Sequence, residues 1–288
     1  MSYIVCTDSC CDLSPEYIDS HHLPVLGLMY TINNYTYEDD NFRVTTPKSF
    51  YDRIRQGDTS KTTLINADRY MNFFSTMLEK GNDVLYLGFS SGLSGSVQSA
   101  LIAQDQLKDQ YPDRKLIVVD TLCASMGQGL MVHYALKNQE KGLSIEENTH
   151  WIEDHKLNLA HWFTVDDLNH LRRGGRVSAT SAILGTMLSI KPVLHVDDEG
   201  HLVPMNKVRG RKQSLKALVE EMGKTVTNPE EQDIFISHGD CLEDAQLVGA
   251  MIQERFGVKS VTYHEVGPVI GSHAGPGVVA LFYLGKNC

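Results

Sequence analysis

The chain of 288 residues contains no apolar run near the roughly 20 residues of a membrane-spanning helix. Its start, MSYIVCTDSCCDL, reads as a strand entering a loop and not as a secretion signal, so the expected compartment is the cytoplasm. A surplus of positive charge is missing too: 26 Lys and Arg stand against 36 Asp and Glu, a net charge of −10. That balance argues against non-specific nucleic-acid or anionic-membrane binding as the main task. The six cysteines include no C-x-x-C pair and no histidine at zinc-ligand spacing, which excludes the familiar zinc motifs and predicts reduced thiols, with no metal. Repeats and low-complexity linkers are absent as well. What remains, 42% apolar and 22% charged residues, suits an ordinary globular protein of one large domain or two modest ones.

Strand and helix signals alternate through the first half. Tyr3 to Thr7 reads as a buried strand, Ser14-Pro15-Glu16 as a helix start with Ser as N-cap, and Leu23 to Tyr37 as a hairpin turned at Asn33-Asn34. Helices are predicted from Pro47 to Gly57 and from Ala67 to Lys80. The run Val84 to Leu87 is a strand entering a Gly- and Ser-rich turn, with a helix starting near Ser94. Leu116 to Asp120 is a further strand, followed by helices from Met126 and from Ser144, where Glu147 completes a capping box. This alternation implies right-handed crossovers and a mostly parallel sheet.

The second half has another rhythm. It reads as a strand over Leu157 to Val165, a short helix reaching Gly174-Gly175, and a helix over Ser178 to Leu188. Pro192 to Val196 and His201 to Lys207 form a hairpin around Asp197-Asp198-Glu199-Gly200. Helices over Gln213 to Val226 and Leu242 to Phe256 then alternate with strands Ile234 to Ser237, Ser260 to Val266 and Val278 to Leu284. The expected fold class is α/β with two α/β domains: residues 1–157 around a mostly parallel, Rossmann-like sheet, and residues 158–288 around a mixed sheet.

Four polar segments fall where α/β proteins place ligands: Thr7-Asp8-Ser9, Ser60-Lys61-Thr62-Thr63, Ser90 to Ser96, and the loop Gly271 to Gly277. A helix starting near Ser94 offers free N–H groups and a positive dipole end to an anion such as a carboxylate or phosphate. His273, among small residues, can act as a base or donate to a carboxylate. The other histidines make weaker candidates, His161 among them, with His238 the serious rival. Two basic runs, around Arg173 and Arg176 and around Arg209, suit a phosphate or an acidic protein surface. Without aromatic platforms beside them, they do not make a nucleic-acid groove. Gly88-Phe89-Ser90-Ser91-Gly92 also matches the G-x-S-x-G elbow, so an alternative is a serine hydrolase with Ser90 as nucleophile, an Asp such as Asp240, and His273 as base. That elbow lies early in the chain, and no HGGG-type motif precedes it.

Taken in order, several motifs resemble the DegV family, which includes the FakB fatty-acid-binding proteins. They are Thr7-Asp8-Ser9 with Asp12-Leu13, Thr62-Thr63, Ser91-Gly92-Leu93-Ser94-Gly95-Ser96, Asp167-Leu168 with Arg173-Gly174-Gly175-Arg176, Ile190-Lys191-Pro192, Lys207-Val208-Arg209-Gly210 and Gly271-Ser272-His273-Ala274-Gly275-Pro276-Gly277. Thr62-Thr63 departs from the family's usual Thr-Ser but keeps the hydroxyl, and Cys10-Cys11 stands where small hydroxyl residues are common. The resemblance implies a non-enzymatic carrier that buries one long-chain fatty acid and needs no cofactor. It implies a carboxylate held by Thr62, Ser94 and His273, with additional contacts from Thr63, Gly95 and Ser272. It further implies an ATP-dependent fatty acid kinase of the FakA type as partner, acyl-phosphate as product, and phospholipid synthesis as destination. Arg173, Arg176 and Arg209 would then meet the kinase or the phosphate. No nucleic acid is expected as a partner, and membrane contact would be peripheral and transient.

Overall fold

The computed structural model describes residues 3–177 and 189–286. The helix expected over Ser178 to Leu188 lies outside the described residues.

Strand β1 (Tyr3–Asp8) ends in a single 3-10 turn, Ser9–Cys11, and α1 (Pro15–Ser20) starts with Ser14 accepting from the Tyr17 N–H. The expected Leu23 to Tyr37 hairpin is corrected. Its first part, β2 (Val25–Leu26), runs parallel beside β1, and the hairpin proper is β3 (Met29–Ile32) with β4 (Tyr35–Glu38). The turn falls at Asn33 and Asn34, which sit at φ 47° and 72°, a conformation asparagine tolerates.

After α2 (Pro47–Arg55), residues read from sequence only as a polar segment form β5 (Ser60–Thr63), which pairs with β3. Helix α3 (Ala67–Leu78), β6 (Asp83–Gly88), α4 (Ser96–Lys108) and β7 (Leu116–Asp120) follow. Every residue of β6 is buried, as its unbroken apolar run requires of a central parallel strand. Helix α4 begins two residues later than expected.

Next come α5 (Met126–Glu140) and α6 (Ile145–His155), the latter with the Ser144–Glu147 capping box in place. The second half comprises β8 (Leu159–Thr164), α7 (Asn169–Arg173), β9 (Ile190–Val196), β10 (Leu202–Arg209), α8 (Arg211–Thr225), β11 (Asp233–His238), α9 (Leu242–Phe256), β12 (Ser260–Glu265), α10 (Pro268–Ala274) and β13 (Val279–Leu284). Helix α10 corrects the expected loop over Gly271 to Gly277: Pro268 supplies a helical first turn, and Gly275 at φ 74° ends it.

These strands make three sheets. A parallel sheet has the order β2-β1-β6-β7, a mixed sheet β10-β9-β8-β13-β11-β12, and a small antiparallel sheet β4-β3-β5. In the mixed sheet only β11 and β12 run parallel. Helix α5 packs against β1 and β6 on one side and β8, β11 and β13 on the other, so it joins the two larger sheets. Helix α10 packs against β3, β5, α2 and α7, which brings late residues onto early ones.

The outer edge of the parallel sheet is β7. Its Leu116 and Asp120 carbonyls, on the side away from β6, accept from Gln104 Nε2 at 2.8 Å and Lys156 Nζ at 3.2 Å.

Candidate functional site

A cavity of about 450 Å3 lies beyond the carboxyl ends of β1, β6 and β7, the customary ligand position in an open α/β sheet. Both halves of the chain line it. Leu28, Phe89 and Leu93 come from the first half, and Phe163, Val269 and Phe282 from the second. Thr62, Thr63, Ser94, Gly95, Arg176 and His273 form one polar stretch of the wall.

Strand β5 and helix α10 set the central pair of this stretch, with Thr62 Oγ1 2.8 Å from His273 Nε2. The other imidazole nitrogen, Nδ1, is buried without a hydrogen-bond partner. A proton there would have no acceptor, so the ring carries its hydrogen on Nε2 and donates to Thr62. The Thr62 hydroxyl then keeps its own hydrogen for a ligand. Burial, helped by the charge of Arg176, pushes the His273 pKa down to about 4, so the ring is neutral near pH 7. Gly174 makes room for it: a Cβ there would lie 2.2 Å from His273 Nδ1.

Ser94 stands just ahead of α4. Its Oγ accepts from the Ser96 N–H at 3.2 Å and lies 3.0 Å from Ser96 Oγ, which itself accepts from the Ile65 N–H. Arg176 is half-buried. Its Nε donates to the Leu93 carbonyl at 3.2 Å and Nη1 to the Gly174 carbonyl, which steadies the guanidinium at the polar stretch. Burial lowers its pKa, as expected for a cation short of water. The arrangement offers hydroxyl and guanidinium donors to one anionic group, with an apolar cavity behind it.

The remaining residues singled out from sequence separate clearly. Thr63 and Gly95 line the cavity. Ser272 does not: its Oγ lies 2.6 Å from Ser60 Oγ and donates to the Pro268 carbonyl. Arg173, on α7, reaches His170, and Arg209 ends β10 on the surface. Ser90 is fully buried away from the cavity wall and donates to the Gly200 carbonyl at 2.9 Å, while Asp240 pairs with Arg55. The Ser90–Asp240–His273 triad therefore does not assemble. The motif instead docks the β9–β10 turn, since a Cβ on Gly92 would lie 2.7 Å from the Glu199 and Gly200 carbonyls.

Arg176, singled out for the kinase or the phosphate, lines the cavity itself. Two features escaped the sequence. His161, read as a surface or helical histidine, is buried in β8 and lines the cavity. Its Nδ1 donates to the Leu159 carbonyl and its Nε2 accepts from the Ala124 N–H, while burial and then His195 push its pKa down to about 3. Ser125 and Ser237 also lie on the wall. No periodicity marks any of these positions.

Among the described residues, no cluster of three or more His, Cys, Asp or Glu side chains could hold a metal ion, and no helix is long and apolar enough to cross a membrane. The chain is similar to a DegV domain-containing protein of Clostridium perfringens, at 44% identity over 99% of this chain and 98% of that one. Among solved structures it matches a DegV family protein from Thermus thermophilus described for its fatty acid binding, at 28% identity and TM-score 0.88, covering 99% of this chain and 100% of the other. The Streptococcus pneumoniae fatty acid kinase B3 protein, solved with linoleic acid, shares the fold at 21% identity and TM-score 0.85, with 99% of each chain covered. The family model described as "Uncharacterised protein, DegV family" matches residues 2–286, and the chain belongs to that family.

Proposed function

We propose that this chain binds one long-chain fatty acid with its tail in the cavity and its carboxylate at Thr62, Ser94 and Arg176, and presents that carboxylate to an ATP-dependent fatty acid kinase. The observation that carries this reading is a largely apolar cavity with hydroxyl and guanidinium donors gathered on one stretch of its wall. A fatty carboxylate has a pKa near that of glutamate, about 4.3, and so arrives as an anion that needs donors. Thr62 donates its hydroxyl hydrogen, Ser94 adds a second hydroxyl, and Arg176 supplies charge. His273 acts through Thr62, fixing the direction of its hydrogen. Burial of the tail contributes about 0.8 kcal/mol per methylene against roughly 1.5–3 for each charge-assisted bond to the head. The tail therefore sets affinity and the head sets orientation.

The carrier adds no bond of its own in this reading: the kinase transfers the phosphoryl group, and Arg176 is placed to meet the negative charge gained by the acyl-phosphate. Arg173 and Arg209, both on the surface, would face the kinase. Residues 1–157 and 158–288 act as two domains sharing the cavity, in the cytoplasm. Mass spectrometry of the denatured protein purified from bacteria should find a stoichiometric acyl chain, and purified kinase with ATP should convert it. A preparation with no acyl chain that also fails to bind fatty acid in titration would sink the proposal.

A further inference from the structure

The cavity wall carries a second polar point that the carboxylate does not use. Ser125 precedes α5 at φ 54°, and its side chain makes no hydrogen bond to that helix. Its Oγ donates instead to Asp12 Oδ2 and lies 2.9 Å from Ser237 Oγ. Asp12 is fixed in turn by the Gly267 N–H, which donates to Oδ1 at 2.9 Å. Ser125 and Ser237 both line the cavity, and Ser125 is 5% exposed. A hydroxyl offers one donor and two acceptor positions. With Ser125 donating to Asp12 and accepting from Ser237, one Ser125 lone pair stays open on a wall otherwise suited to methylenes.

Helix α10 relates this point to the head-group end. The Gly267 N–H that anchors Asp12 belongs to the N-cap residue of α10, and His273 lies six residues on, a rise of about 9 Å at 1.5 Å per residue. A ligand group that meets Ser125 therefore lies toward the Gly267 end of α10, away from the His273 end where the head group is placed. Burial raises the Asp12 pKa well above the ordinary carboxylate value, and a protonated Asp12 would reverse the chain of donors. Asp12 would then donate to Ser125 and Ser125 to Ser237, and a lone pair of Ser125 would remain open in that case too.

We propose that Ser125, backed by Asp12 and Ser237, makes this cavity selective for long-chain fatty acids that carry a hydroxyl group part-way along the chain. The inference rests on the fatty-acid reading above and deepens it. In an all-apolar tunnel a mid-chain hydroxyl loses its water and finds no partner; here its O–H donates to Ser125.

Competitive titration against a fluorescent fatty acid tests this with three eighteen-carbon acids: stearic acid, a mid-chain hydroxystearic acid and the isomer hydroxylated at the chain end. The mid-chain isomer should bind as tightly as stearic acid or tighter, and at least tenfold more tightly than the chain-end isomer. Ser125→Ala should lower the affinity ratio of mid-chain hydroxystearic to stearic acid by about tenfold, and Ser237→Ala by a smaller factor. If Ser125→Ala does not fold, the wild-type ranking and Ser237→Ala decide. Equal rejection of both hydroxylated isomers by the wild-type protein, or ratios unmoved by every folded variant, overturns the proposal. Failure of stearic acid itself to bind removes the fatty-acid reading, and this one with it.

Discussion

The polar segment that closes β1 and the pair drawn from two others, Thr62 on β5 and His273 on α10, meet different fates. At the end of β1, Asp8 is fully buried and fully engaged: the Cys10 N–H donates to Oδ1 at 3.0 Å, and Tyr86 OH and the Phe89 N–H donate to Oδ2 at 2.7 and 3.2 Å. Thr7 bonds the Leu87 carbonyl, and Ser9 accepts from the Leu28 N–H. At Thr62 and His273, by contrast, one imidazole nitrogen has no partner and a hydroxyl hydrogen is left over. Thr, Ser and Asp serve the first segment as internal fasteners. The second keeps capacity that only something from outside can use.

Four experiments press on this contrast. Asp8→Ala should destabilise the fold by about 4 kcal/mol, since three donors each lose a partner at roughly 1–3 kcal/mol. Urea unfolding measures it, and a loss under about 1 kcal/mol would place Asp8 with the open groups instead. The second uses pH. His273 titrates near 4 in the folded chain against about 6.5 when unfolded. Between these values the unfolded chain binds more protons, so the contribution of the neutral ring is complete above pH 6.5 and lost as pH falls toward 4. That loss amounts to about 3 kcal/mol. In paired urea titrations across this window, His273→Gln should remove about that much of the fall in stability; an identical fall would show that the ring is not held neutral.

Thr62→Val keeps the shape of the side chain but removes the donor, and should weaken fatty-acid binding by roughly tenfold to hundredfold, or about 1.5–3 kcal/mol. Titration of the delipidated protein tests this, and unchanged affinity would detach Thr62 from the head group. Gly174→Ala should have the smallest effect, about fivefold in affinity or 1 kcal/mol, because its Cβ forces His273 away from Thr62. An alanine variant with wild-type affinity would show that the ring has room to spare.

Much of the architecture was legible because it follows from periodicity and caps. The buried run of β6, the capping box of α6 and the hairpin turned at Asp197 to Gly200 stand where local chemistry puts them. The misreadings share one cause. Helix α10 looked like a loop because Gly271 within it and Gly275-Pro276-Gly277 just beyond argue locally against a helix, whereas its packing on β3, β5, α2 and α7 supports one. Ser94 and Ser90 differ by four residues and by nothing in type. Only the arrival of the β9–β10 turn, which takes up the Ser90 hydroxyl, tells them apart. His161 was misjudged for a related reason: whether a polar side chain faces solvent or a cavity is decided by strands distant in sequence.

The side chains laid along β7 bear on a different property, the behaviour of this protein at high concentration. An open sheet ends in a row of unpaired backbone groups that can template a strand from a neighbouring molecule. Gln104 and Lys156 already occupy the Leu116 and Asp120 carbonyls at that edge, and the opposite edge strand, Val25–Leu26, is only two residues long. Growth of the parallel sheet into a fibre is thus blocked on both flanks, by two long polar side chains and by brevity.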